Sequence, residues 1–239
     1  MRAVYSARYK WFREGEKLSV GSRFDAFLSN ISLTEAQKTA GAERRASVIK
    51  ALNLHYWGSS SDTANSKYVG SWGKFTRIRP PRDVDVLFEL PYSVYEKYQN
   101  RAGNKQSQLL QEVKGVLAAK FPNTDVRGDG PVVKVPFASY NVELVPAFLL
   151  KGGGYWVCVT SDGGEYKKAD YDAEMKVIKD SNDLTKGNTR NLVRMMKCWQ
   201  GYCDVPLKSF WIELIAIEFL QSWEHRDKSS TYYDWMVRD

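Results

Sequence analysis

Two aspartates separated by one residue, Asp83 and Asp85, are the clearest candidates for chemistry in this sequence. Polar and apolar residues alternate from Asp83 to Leu87, a pattern that predicts a β-strand. Side chains at i and i+2 of a strand point to the same face, about 6.6–6.8 Å apart along the chain. Two carboxylates so placed repel each other unless a cation lies near them, and Mg²⁺ prefers carboxylate oxygens. A solvated strand face without function is the alternative interpretation of the aspartate pair alone.

Two further features favour a functional site. Gly70-Ser71 follows an apolar pair, and glycine lets the backbone approach a phosphate while a following helix N-terminus aims N–H donors at it. A third acid, Glu143, lies in a second alternating segment that we expect beside the first. Three carboxylates on adjacent strands and a Gly-Ser loop together predict a two-metal site for phosphoryl transfer.

The elements that must position these residues form an α+β pattern with a mixed sheet. A capping box at Ser32–Glu35 predicts the start of a long helix that ends near Tyr56. The strand signal stops after about residue 165, and helical periodicity follows. The other predicted elements are helices at Lys105–Phe121, Thr189–Gln200 and Leu207–Trp223, and strands at Val132–Phe137, Tyr140–Phe148 and Tyr155–Val159. The helix Leu207–Trp223 is expected to bury Phe210, Trp211, Leu214, Ile217 and Leu220.

The motifs resemble those of a known family. The matching segments are Gly70-Ser71, Thr76-Arg77-Ile78-Arg79-Pro80, Asp83-Val84-Asp85 and Val142–Phe148. They look like the polymerase-β-type nucleotidyltransferases, and more narrowly the CD-NTases, the cGAS/DncV-like enzymes of bacterial anti-phage signalling. The segments Phe27–Thr34, Leu192–Trp199 and Leu207–Phe210 extend the resemblance over residues 22–239. Three departures are Glu143 where many relatives have Asp, Phe75 where a small residue is expected, and an end at Asp239 where relatives continue into further helices.

The resemblance implies a fold and its division into domains. It implies a nucleotidyltransferase fold with a mixed β-sheet palm, a long N-terminal spine helix and a helical C-terminal lobe. Residues 22–165 would form the catalytic core with its spine helix. Residues 166–239 would form the lobe, which we expect to be truncated at its C-terminus.

The resemblance also implies an activity and its residues. NTPs would be joined into a cyclic di- or trinucleotide second messenger with release of pyrophosphate, in anti-phage (CBASS) signalling. Asp83, Asp85 and Glu143 would be the catalytic residues and would hold two Mg²⁺ or Mn²⁺ ions. Gly70, Ser71, Lys197 and Ser209 would bind the nucleotide, with Ser209 also capping its helix. Lys197 is otherwise expected to be an exposed helix lysine whose loss leaves stability unchanged.

Composition limits the alternatives. The 239 residues include only three cysteines, which fits a reducing cytoplasm, and the sequence suggests no membrane segment. A net charge of +7 permits nucleic-acid binding, but the basic residues are mixed with acids and nothing else supports it. Besides NTP substrates, the partners we consider are an activating ligand and an accessory protein. The alternatives are a template-independent transferase acting on RNA or protein, and a catalytically inactive, nucleic-acid-binding relative, against which the intact acid set argues.

Overall fold

A seven-stranded mixed sheet forms the centre of the part of the chain that the computed structural model describes, residues 19–239. The strands are β1 (Ser66–Tyr68), β2 (Asp83–Glu89), β3 (Arg127–Asp129), β4 (Val132–Pro136), β5 (Asn141–Leu149), β6 (Tyr155–Val159) and β7 (Glu165–Ala169). They pair in the order β1-β2-β5-β4-β3, while β6 pairs with both β5 and β7. Only the pairing of β2 with β5 is parallel among these strands.

Helices lie on the sheet and gather at the C-terminal end of the chain. The α-helices are α1 (Val20–Ile31), α2 (Glu35–Trp57), α3 (Gly70–Gly73), α4 (Tyr92–Gln99), α5 (Lys105–Lys120), α6 (Tyr171–Leu184), α7 (Asn188–Cys203), α8 (Ser209–Ser222) and α9 (Tyr233–Arg238). This arrangement confirms the predicted α+β fold with a mixed sheet, a long helix before it and helices after it.

The main core fixes the orientation of the site strand. Val84, Val86 and Phe88 of β2 are fully buried among apolar residues of α2, α5 and the neighbouring strands. Because side chains alternate along a strand, burial of Val84 and Val86 turns Asp83 and Asp85 to the opposite face. The parallel pairing then sets Asp85 directly opposite Glu143 on β5.

A second core joins α1 to the C-terminal helices. Ile31 of α1 is buried with Leu192 and Met195 of α7 and with Ile212 and Leu220 of α8. Thus the helix that precedes the spine helix packs with the helical part, although the two are far apart in sequence. The division of the chain at residues 165 and 166 stays a prediction.

The predicted helix start at Ser32 is wrong by two residues. Thr34 is the N-cap of α2: its side chain accepts from Gln37 N–H, and the Gln37 side chain accepts from Thr34 N–H. Ser32 instead ends α1, and its hydroxyl donates to the Leu28 carbonyl. Both Ser32–Glu35 and Thr34–Gln37 fit the capping-box pattern, and the place where α1 ends decides between them.

Three other expectations fail at the C-terminal end. The strand signal does not stop near residue 165, because β7 follows as a mostly exposed edge strand with charged residues in place of an apolar face. Of the residues of α8 that were expected to be buried, Phe210, Trp211 and Leu214 are exposed, at 48%, 53% and 37%. The buried residues of this helix include Ile212, Ala216 and Leu220. This helix is apolar on nearly every side, so its periodicity indicates no single buried face. Ser209 does not cap it, since Lys208 is the N-cap and makes no capping bond through its side chain.

The contact between α2 and α3 gives a test of the fold. A Cβ on Gly41 of α2 would lie 2.4 Å from Cη2 of Trp72 in α3, which is itself buried. We expect Gly41→Ala to lower the free energy of unfolding by about 1–3 kcal/mol through overpacking, although alanine favours a helix over glycine by about 0.5–1 kcal/mol.

Gly115→Ala in α5 is the matched control. A Cβ there would meet nothing within 4 Å among the described residues, so this variant should gain about 0.5–1 kcal/mol. Chemical denaturation measures both changes. Equal stability of the two variants would contradict the proposed contact between α2 and Trp72.

Candidate active site

A single turn of helix brings the Gly-Ser pair over the second aspartate. After β1, the backbone N–H of Val69 donates to the Asp85 carbonyl at 3.1 Å, and α3 begins at the next residue. Gly70 has φ +53°, and a Cβ there would lie 2.2 Å from Oδ2 of Asp85. Ser71 donates its backbone N–H to the Asp85 carboxylate. Glycine is therefore required both by the backbone conformation and by the closeness of the carboxylate.

The three predicted carboxylates lie on two adjacent parallel strands. Asp83 and Asp85 share one face of β2, and Glu143 of β5 is the register partner of Asp85. A neutral amide and a cation donate to these carboxylates. Asn141 donates to Oδ1 of Asp83 at 2.8 Å, and Lys134 of β4 donates to Oε1 of Glu143 at 2.6 Å. The Lys134 Nζ also lies 3.8 Å from Oδ1 of Asp83.

Burial and like charge change the titration of Asp85. Desolvation raises the pKa of Asp85 from 3.8 to about 7, and the carboxylates of Glu143 and Asp83 act in the same direction. The hydrogen bond from Ser71 and the charge of Lys197 offset part of this rise. The metal-free protein therefore keeps a proton on Asp85 to a higher pH than an exposed aspartate does.

A buried ionic cluster forms the opposite wall of the site. Glu213 of α8 accepts from Lys74 and from Lys197 of α7, each at 2.9 Å, and Lys197 also donates to the Thr76 hydroxyl at 2.9 Å. Lys74 has a second partner in Glu174 of α6 at 2.8 Å. Burial lowers the pKa of Lys197, whereas the bonds of Lys74 to its two glutamates outweigh burial and raise its pKa. The expectation that Lys197 is exposed is wrong: it is 7% exposed.

The cluster and the two aspartates, Asp83 and Asp85, face one cavity of about 470 Å³. Six of the seven predicted site residues line it: Gly70, Ser71, Asp83, Asp85, Lys197 and Ser209. Glu143 is not among the lining residues and lies one strand away, bonded to Lys134. The cavity thus joins the Gly-Ser turn, the aspartate pair and the N-terminal end of α8.

Sequence reasoning missed several polar residues of this cavity, chiefly Lys74, Thr76, Glu174 and Glu213. Glu213 had a usable signal, because an acid within the most apolar segment of the chain needs a buried cation as its partner. Lys74 and Thr76 lie two residues apart after the Gly-Ser turn, and Thr76 belongs to a segment that carries the family resemblance. Neither they nor Glu174 has a local signal for its partner, because that partner lies in another element. Phe75, where a small residue was expected, has φ +59° and is 56% exposed, and its ring contacts the guanidinium groups of Arg77 and Arg190.

The residues present fit a hard divalent cation. Asp83 and Asp85 present carboxylate oxygens, the donor type that Mg²⁺ prefers. Burial, and to a smaller extent the charges of Glu143 and Asp83, raises the pKa of Asp85, and a bound cation would oppose both effects. The Lys134 ammonium, close to both Asp83 and Glu143, is a stand-in cation in this group. As the side chains stand, no three His, Cys, Asp or Glu residues within 19–239 converge on one point.

The Asp85 titration predicts how stability depends on pH. Because its pKa is higher in the folded protein than in the unfolded chain, the folded state keeps a proton that the unfolded chain releases between about pH 4 and pH 7. Without metal, the free energy of unfolding should fall as pH rises through that window, by at most about 4 kcal/mol. Asp85→Asn should abolish this fall, as measured by denaturation in chelator at pH 5 and pH 8. Asp129→Asn on exposed β3 is the control and should keep the pH dependence of the wild type. If Asp85→Asn also keeps it, the fall in stability does not come from Asp85.

The buried cluster predicts a stability role for Lys197. Lys197→Met leaves Glu213 with one ammonium fewer in a buried place, so the free energy of unfolding without nucleotide should fall by about 3 kcal/mol, a loss that Lys74 limits. Lys176→Met on α6 removes a lysine that is 73% exposed and should change stability by less than about 0.5 kcal/mol. A Lys197→Met protein as stable as the control would show that the pair contributes nothing.

Comparisons with known proteins agree with this geometry. The CBASS oligonucleotide cyclase CdnC of Escherichia coli (strain KTE188) is 27% identical over 164 residues, which are 64% of this chain and 50% of that protein. The chain spans about half the length of the curated relatives that it matches.

Two solved structures share the fold. CdnC of E. coli MS115-1 in a complex with HORMA-deltaN has a TM-score of 0.64 at 17% identity and covers 92% of this chain and 69% of that one. The CdnE cyclic dinucleotide synthase of Elizabethkingia meningoseptica, with GTP and Apcpp, has a TM-score of 0.66 at 16% identity and covers 91% and 82%. These likenesses confirm the predicted nucleotidyltransferase fold.

Family membership follows from a match to the sequence itself. The model of the family described as "Second Messenger Oligonucleotide or Dinucleotide Synthetase domain" (SMODS) matches residues 18–182, more than half of the chain. This segment includes the Gly-Ser turn and all three carboxylates of the site. The protein therefore belongs to the SMODS family, as the resemblance to CD-NTases predicted.

Proposed function

We propose that this protein joins nucleoside triphosphates into a cyclic di- or trinucleotide, with release of pyrophosphate, in bacterial anti-phage (CBASS) signalling. The observation that supports this most directly is the cavity in which a Gly-Ser turn faces two aspartates inside a SMODS domain. A relative named as a CBASS oligonucleotide cyclase and a similar fold named as a cyclic dinucleotide synthase support the same reaction class.

The donor triphosphate would lie between the two walls of the cavity. On one side, Gly70 and Ser71 line the cavity, and the missing Cβ of Gly70 makes room for the Asp85 carboxylate beside them. On the other side, Lys197 and Ser209 line the same space, and Lys74 lies beside them. Both lysines are held by Glu213, so their positions are set before nucleotide arrives. A charge-assisted bond from Lys197 to phosphate would compete with its bond to Glu213.

The aspartate pair would position the reaction centre. The acceptor's ribose hydroxyl would lose its proton to solvent and attack the α-phosphorus of the donor. A new P–O bond forms, the bond from the α-phosphorus to the oxygen that bridges it to the β-phosphate breaks, and pyrophosphate leaves with that oxygen. Divalent cations held by Asp83, Asp85 and Glu143 would lower the pKa of that hydroxyl and neutralise charge on the phosphates. The chain itself supplies rigidity, because all three carboxylates stand on the paired strands β2 and β5. A second transfer within the linear product would close the ring.

The partners are part of this proposal. NTPs are the substrates, and the complex of CdnC with HORMA-deltaN suggests that an accessory protein acts on this chain too. Among the described residues, none of the helices is long and apolar enough to cross a membrane.

A direct assay tests the proposed reaction. The protein is incubated with all four NTPs and Mg²⁺ or Mn²⁺, treated with phosphatase, and its small products are identified by mass spectrometry. Phosphatase-resistant cyclic products are expected. Nucleotides added to RNA or protein would instead show a template-independent transferase, and binding of nucleic acid without turnover would show an inactive relative.

Removing the aspartate charges should abolish pyrophosphate release. Asp83→Asn combined with Asp85→Asn takes away two ligands of the proposed cations. The rate should fall by at least about a thousandfold, because several kcal/mol of transition-state stabilisation are lost at about 1.36 kcal/mol per tenfold.

A matched double variant is the control. Asp125→Asn with Asp129→Asn removes two exposed aspartates at and beside β3 and should keep the wild-type rate. Circular dichroism shows whether both proteins are folded. A site variant within about tenfold of wild type would exclude the two-metal mechanism.

A further inference from the structure

We propose that Lys134 is a tethered counter-cation, which holds Asp83 and Glu143 in the metal-free protein and is displaced when a divalent cation binds. Lys134 would then set the cation concentration at which the site fills. This inference rests on the metal site of the proposed function, but it concerns a residue of β4 outside the expected ligand set.

The strand geometry aims Lys134 at the carboxylates. β4 runs antiparallel to β5, and Lys134 is the direct register partner of Glu143. Its neighbours Val133 and Val135 are fully buried in the core, so alternation puts Lys134 on the opposite face, with the acids. Its Nζ lies 2.6 Å from Oε1 of Glu143 and 3.8 Å from Oδ1 of Asp83.

The charge balance explains why a lysine is needed there. Asp83, Asp85 and Glu143 are three acids on one patch of two strands, and gathering them without a cation is unfavourable. The Lys134 ammonium offsets one charge, and its side chain is only 29% exposed. An exposed cross-strand ion pair contributes little to stability, whereas a cation between two close carboxylates screens their mutual repulsion.

The same contact opposes metal binding. A divalent cation needs the oxygens of Glu143 and Asp83 that Lys134 now contacts, and a nearby ammonium repels it. The backbone of β4 is fixed by its pairing to β5, but four methylene groups let the ammonium move aside without any change in the strand. Binding of divalent cations would thus displace the Lys134 ammonium and convert the metal-free site to the metal-bound site.

Binding of Mn²⁺ alone tests this exchange. The metal-free protein is titrated with Mn²⁺, and free Mn²⁺ is measured by electron paramagnetic resonance. Lys134→Met should bind Mn²⁺ at least about tenfold more tightly than wild type, because competition and repulsion are both removed. Lys134→Arg keeps the charge and can bind a carboxylate through two N–H groups, so it should bind no more tightly than wild type.

Lys167→Met is the matched control. Lys167 is also a strand lysine paired with a glutamate, Glu165 at 3.0 Å, but it lies on β7 away from the cavity. Its loss should leave the Kd within twofold. Thermal melting adds a second readout: Lys134→Met should melt below wild type in chelator, and the difference should vanish at saturating Mn²⁺.

The outcomes separate this inference from the proposed function. If wild type binds Mn²⁺, Asp85→Asn does not, and Lys134→Met binds equally or more weakly than wild type, the counter-cation role is overturned and the metal site stands. An equal loss of melting temperature with and without Mn²⁺ would also overturn it, since Lys134 would then be merely structural. If Asp85→Asn binds Mn²⁺ as wild type does, or if neither wild type nor Lys134→Met binds it, the metal site and this inference fail together.

Discussion

Repulsion among three carboxylates is the constraint on which the rest of the structure depends. Asp83, Asp85 and Glu143 face one side of two parallel strands, and they stay there because the alternating valines on the other side are buried in the main core. Burial of Val84, Val86 and Val142 stabilises the strands by more than the repulsion between the carboxylates destabilises them. Burial is the main cause of the raised pKa of Asp85, and repulsion by Glu143 and Asp83 adds to it, while Lys134 offsets part of the negative charge.

The turn after β1 also offsets the negative charge of the carboxylates. Ser71 donates its N–H to Asp85, and only glycine fits at position 70 against that carboxylate. Trp72, in the same turn, packs against Gly41 of the long helix. A substitution at Gly41 of α2 would therefore displace Trp72, and through Trp72 the Gly70-Ser71 turn that contacts Asp85.

The opposite wall depends on a different balance of charge. Glu213 lies in a helix that is otherwise almost wholly apolar, and Lys74 and Lys197 approach it from two other elements. Buried ions are tolerated only when they are paired and hydrogen-bonded. Their pairing joins the residues after the Gly-Ser turn to the C-terminal helices, so one cluster both lines the cavity and links these two parts of the chain.

Local sequence patterns were enough to predict several secondary-structure elements and the three carboxylates of the site. The sequence by itself determined the strand with Asp83 and Asp85, the strand with Glu143, the Gly-Ser turn and the helices α2, α5, α7 and α8, because alternation, helical periodicity and glycine preference are properties of neighbouring residues. It did not predict α1, α4, α6 or α9. Where two local patterns competed, as at Ser32 and Thr34, or where a helix was apolar all round, as in α8, the sequence was ambiguous. Only the tertiary structure decided those cases and brought Lys134 to Glu143 and Lys197 to Glu213. These contacts join separate elements, and the packing of a whole core sets their distance and charge balance.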